Sequence, residues 1–111
     1  MLRIDPATRE VREVGASLEG EVRRQNKWQN GYCAADGCIF GIPLKGETVL
    51  VIRPDAAGGE PEVSTVGGPL VGLNKWEGGV VGPDGAMYCM PLNHKRVLRI
   101  APGSSPPPIA K

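Results

Sequence analysis

The chain has 111 residues, with 13 Lys+Arg against 12 Asp+Glu. That is one domain's worth or less, enough for a modest core, and the balanced charge offers no footprint for nucleic acid or an anionic membrane. No apolar run approaches the roughly 20 residues of a membrane span, and Asp5 and Pro6 stand where a secretory signal needs an apolar run; the expectation is a cytoplasmic protein.

Sixteen Gly and 11 Pro punctuate short apolar runs and form no low-complexity block, which favours an all-β fold over disorder. In chain order, LRIDP (2–6) and EVREVG (10–15) read as two strands. NKWQNGYCAADGCIFGIPLKGETVLVIRP (26–54) follows, with a first strand at 30–34, an Asp-Gly turn, an apolar strand up to Pro43 and a third strand up to Pro54. EVSTV (62–66) is the fourth. The same text then returns as NKWEGGVVGPDGAMYCMPLNHKRVLRIAP (74–102), with a first strand at 78–82, a second at 86–92 and a third at 96–100. No window carries a sustained helical period.

The two copies are offset by 48 residues without a gap, and 12 of 29 positions are identical. Chance at ordinary composition gives about two or three. LRIDP joins the same frame as LVIRP (50–54) and LRIAP (98–102), and EVREVGASLEG (10–20) matches EVSTVGGPLVG (62–72) at an offset of 52. Each unit is therefore a four-stranded meander whose short strands are apolar on both faces. Such sheets need cover on both sides, and stacked copies of the same sheet supply it. A period of roughly 40–50 residues is that of a β-propeller blade. A β-sandwich is the alternative, but it gives no reason for an exact repeat.

The expected layout is a partial blade at 1–25 (strands three and four), a full blade at 26–73, the first three strands of a blade at 74–102, and a disordered Pro-rich tail at 103–111. The first strands are expected to line the central axis. A closed propeller uses 4–8 blades, and this is about two. Either the chain is a fragment of a longer propeller, or it is a protomer whose copies close a ring, with the last unit borrowing residues 10–15 of a neighbour.

The pattern W-x-G-G-V, then D-G-x-x-Y-x-x-P and V-L-x-I-x-P, resembles the repeats of NHL-type and gluconolactonase-like β-propellers. It resembles more closely the KW-x-GGV repeat proteins of unassigned function. The resemblance covers residues 1–102. It implies a propeller, and for the gluconolactonase-like branch a metal held by acidic and amide residues at the central channel.

The candidate residues are mostly the repeated ones. Trp28 and Trp76 are read as packed spacers, or else as a platform for a sugar ring, with Lys27 and Lys75 beside them as cations or hydrogen-bond donors. Asp36 with Gly37 and Asp84 with Gly85 read as turn chemistry. Asn26/Asn74 and Asp36/Asp84 are the repeated side chains that suit a Ca²⁺ site, but they fall at opposite ends of the first strand. Neither a metal nor a cofactor is therefore expected. Cys33, Cys38 and Cys89 fit no disulfide framework or zinc motif and read as buried free thiols. His94, the only histidine, reads as a solvated loop residue. No phosphate-binding or dinucleotide-binding glycine motif occurs. The expected function is a non-enzymatic interaction scaffold with an unassigned protein or glycan partner. Carbohydrate binding through Trp28 and Trp76 comes second, and a divergent lactonase-like hydrolase third.

Overall fold

The computed structural model describes residues 1–18 and 25–102. The predicted tail at 103–111 and the end of the first partial unit, 19–24, lie outside them. The described chain is all β, in three antiparallel sheets, none of them closed. The N-terminal sheet pairs β1 (Leu2–Ile4) with β2 (Val11–Glu13). The central sheet runs in sequence order from β3 (Trp28–Cys33) through β4 (Ile39–Pro43) and β5 (Val49–Arg53) to β6 (Glu62–Val66). The C-terminal sheet holds β7 (Trp76–Val81), β8 (Met87–Pro91) and β9 (Leu98–Ile100).

The first strands start earlier than the sequence suggests, at Trp28 and Trp76, and end at Cys33 and Val81. The difference is a β-bulge in each copy. Trp28 pairs with Pro43 and Gly31 with Gly41, so Gln29 and Asn30 together face Ile42. Trp76 pairs with Pro91 and Gly79 with Cys89 in the same way. The extra residue turns left-handed, Asn30 at φ 60° and Gly78 at φ 69°, as a bulge allows. Alternation breaks at a bulge, so the Trp looked detached from its strand. Gly31 and Gly79 sit just after it. A Cβ there would lie 2.5 Å from the carbonyl oxygen of Phe40 or Tyr88, so the next strand has room only for glycine.

The central and C-terminal sheets stack face to back. Phe40, Ile42, Val49 and Val51 of the central sheet bury against Trp76, Met87, Cys89 and Ile100 of the C-terminal one. Phe40 and Ile42 share one face of β4, since successive side chains alternate. Met87 and Cys89 share one face of β8, and 48 residues earlier their positions are Ile39 and Gly41, on the other face. The contact therefore joins the front of one sheet to the back of its copy, and the same step can be repeated. Tyr32 stacks on Phe40 at 5.6 Å between centroids. Its hydroxyl donates to the carbonyl of Ile100 at 3.2 Å, tying β3 to β9 across the stack.

The N-terminal sheet leans on the outer edge of the central one. The Gly15 amide donates to Glu60 at 2.9 Å. Val14 is buried, whereas Leu2 and Ile4 are exposed.

Candidate functional site

The repeated Asn-Lys-Trp segment is where the sequence placed its candidates. It is a clamp around the loop that follows the second strand. Asn26 and Asn74 take left-handed φ angles of 57° and 49°, a conformation asparagine tolerates better than most residues. Their carbonyls accept from the amides of Lys45 and Asn93 at 3.2 and 2.9 Å. The carbonyls of Lys27 and Lys75 accept from Leu44 and Leu92 at 3.1 and 2.8 Å. The indole N–H of Trp28 donates to the Thr48 carbonyl, and that of Trp76 to the Arg96 carbonyl, both at 2.7 Å.

Beyond this shared frame the copies differ in burial. Trp76 is 2% exposed and sits in the core between the two sheets. No open face remains on it for a sugar ring. Trp28 is half-buried. Lys75 is 1% exposed, and its ammonium donates to the carbonyls of Leu44 at 3.1 Å and Gly72 at 2.8 Å. Burial pushes its pKa down, and the charge of Glu47 partly opposes that. Leu44 belongs to the central sheet's unit, so Lys75 bridges two copies of the repeat. Lys27 is half-buried and donates to the Leu18 carbonyl at 3.0 Å.

Asp36 and Asp84 close their turns as the sequence implies. Asp36 accepts from the Cys38 amide at 3.0 Å, and Asp84 from the Ala86 amide at 3.1 Å. Gly37 and Gly85 follow at φ 90° and 82°, where a side chain is strained. Asn26 and Asp36 precede and follow β3, so they do not converge. Among the described residues, no group of three or more His, Cys, Asp or Glu could hold a metal ion.

Two of the remaining readings need correction. Cys38 and Cys89 are buried as expected, but Cys33 is exposed. It follows Tyr32 and precedes Ala34, both on the core side of the strand, so alternation turns its side chain to the opposite face. Burial raises the thiol of Cys38, with Asp36 adding to it, and pushes that of Cys89 up to about 11. Neither forms a thiolate readily. His94 is half-buried rather than solvated: its ring packs on Trp76 at 4.4 Å, and its Nδ1 accepts from the Arg96 amide at 3.2 Å.

The structure adds one cluster that pattern reading overlooked. On the outer face of the C-terminal sheet, the Tyr88 hydroxyl donates to Asp84 at 2.6 Å. Arg99 donates to the same carboxylate at 3.1 Å and to the Tyr88 oxygen at 3.1 Å. The signal was present in the repeat, because Tyr88 and Arg99 replace Phe40 and Val51, both buried in the earlier copy. The Tyr88 hydrogen bond, then the Ala86 amide and Arg99, hold the Asp84 carboxyl at about 2. An Asp lowered in the fold contributes its stability fully above its unfolded value of 3.8 and loses it as pH falls through about 2. Carboxyl NMR titration should therefore find Asp84 half-protonated near pH 2. Tyr88→Phe should raise that midpoint more than Arg99→Ala does, and an unmoved midpoint in both variants would contradict the cluster.

A cleft of about 470 Å³ opens beside Lys27, lined by Met1, Glu13, Val14, Ser17 and Leu18 among others. Compared with known proteins, the chain matches no family model, no curated protein and no solved structure. Among the described residues, no helix is long and apolar enough to cross a membrane.

Proposed function

We propose that the chain forms stacked blades of the β-propeller type and works as a non-catalytic interaction scaffold. The carrying observation is where the repeated polar residues direct their atoms. The indoles of Trp28 and Trp76, the ammonium groups of Lys27 and Lys75, and the carboxylates of Asp36 and Asp84 all bond main-chain groups of the frame. Repetition therefore serves the frame of each unit and, through the two lysines, its stacking. Binding falls to surfaces that differ between copies, as it does when loops and faces are grafted on a common scaffold. A four-stranded meander that stacks face to back at a 48-residue step supports the propeller reading.

A glycan-binding role has one specific observation in its favour, the half-buried Trp28. Titrating the chain with neutral mono- and oligosaccharides while following tryptophan emission separates the two readings. The scaffold reading expects no change in intensity or wavelength. Saturable quenching that Trp28→Phe removes would replace it with the lectin reading. Lactone or ester hydrolysis that depends on an added divalent ion would replace it with the hydrolase reading.

A further inference from the structure

We infer that the outer face of the C-terminal sheet docks onto the Lys27 end of a second copy of this chain. The inference names a partner for the proposed scaffold and rests on the stacked-blade reading. Its template is the contact already present between the central and C-terminal sheets.

In that contact the Leu44 carbonyl takes two donors from Lys75, the amide at 2.9 Å and the ammonium at 3.1 Å. One step back along the repeat, Lys27 stands in the place of Lys75. Where the Leu44 loop would stand one step back, none of the described residues takes its part. In that place is the cleft of about 470 Å³, with Lys27 in its wall. One step forward, Leu92 stands in the place of Leu44. Its surroundings are open as well. Leu92 is 53% exposed against 5% for Leu44, Met90 45% against 0% for Ile42, and Val97 52% against 6% for Val49.

One end of the chain thus offers a knob and the other end the recess that the same knob fills inside the molecule. A single translation of 48 residues relates both to the internal contact. Exposed apolar faces of this kind mark interfaces. The polar cluster on the docking face is paired within itself, Asp84 with Tyr88 and with Arg99, so its desolvation offsets only part of the apolar gain. Covered together, they leave no unpaired charge. The contact is heterologous, so copies close into a ring or grow into a chain.

Docking brings β9 of one copy to where β1 of the next lies, since both read Leu-Arg-Ile and are 96 residues apart. β9 is the better anchored. Ile100 belongs to the core and its carbonyl accepts from Tyr32, whereas Leu2 and Ile4 are 58% and 62% exposed. β1 therefore yields, and β9 takes its register on β2: Leu98 opposite Glu13, Arg99 opposite Arg12, Ile100 opposite Val11. The two arginines keep their own partners, Asp84 and Glu10.

Light scattering on a size-exclusion column, run on the 111-residue chain over a concentration series, should show an oligomer that dissociates on dilution. Leu92→Lys combined with Val97→Lys alters only exposed positions, so circular dichroism should stay native while association weakens by at least about tenfold. In a Cys33→Ser background, Lys27→Cys and Leu92→Cys variants should form a disulfide-linked dimer when mixed under oxidation, and neither should alone. A folded monomer at every concentration overturns the inference, and so does an oligomer that the lysine pair leaves intact. Either outcome leaves the scaffold reading standing if the sugar titration is blank. A saturable sugar response would instead sink the scaffold reading without bearing on the docking face.

Discussion

Replacing Trp76 with alanine is expected to cost about 3–5 kcal/mol of folding stability. The indole is closed between two sheets, at 2% exposure, and its N–H holds the Arg96 carbonyl at 2.7 Å. Truncation leaves a cavity in the contact that gives both sheets their cover, and it strands a carbonyl. Against a native margin of about 5–15 kcal/mol, that is a large share. Trp28→Ala, at the half-buried copy of the same position, should cost clearly less, because one side of that indole is already open. Urea unfolding of the three proteins measures both. Equal losses at the two tryptophans would mean that the stack between the sheets does not carry the fold.

Lys75→Ala is expected to cost about 2–4 kcal/mol, from the buried stem and from the bonds to Leu44 and Gly72 together. Lys75→Met separates the two. It keeps the stem and removes the ammonium, whose bonds are offset by the desolvation that lowers its pKa. That variant should lie within about 1.5 kcal/mol of the parent. The pH dependence has a definite sign. A lysine whose pKa falls on folding binds fewer protons in the native chain, so its share of stability rises with pH towards the unfolded value of 10.5. Half-buried Tyr32 and the buried Cys38 and Cys89 titrate there too, with the opposite sign, so the test is the difference: unfolding free energy of the parent relative to Lys75→Met should rise with pH across the alkaline range. A methionine variant as unstable as the alanine one would place the whole effect on the charge.

Strand order, the Asp-Gly turns and the 48-residue step were legible because each is local or periodic. Asp36-Gly37 and Asp84-Gly85 need only neighbouring residues to close a turn, and a repeat is visible without any coordinates. The bulges at Asn30 and Gly78 were not legible, since an extra residue in a strand looks like a break in alternation. His94 was misplaced for a similar reason. Its neighbours Lys95 and Arg96 read as a solvated loop, but the loop folds back over Trp76. The Asp84–Tyr88–Arg99 cluster joins residues from a turn and two strands, which only pairing brings together.

The amino-acid sequence by itself determined the unit: four short strands, apolar on both faces, repeated so that one copy must cover another. It could not say which copy of a repeated residue ends up inside. Lys27 and Lys75, or Trp28 and Trp76, are the same letters in the same context. Only the tertiary structure separated them, because burial depends on whether a sheet stands in front of a residue. Lys75 and Trp76 have the central sheet against them and became core. Lys27 borders a cleft and, like Trp28, remained half-open.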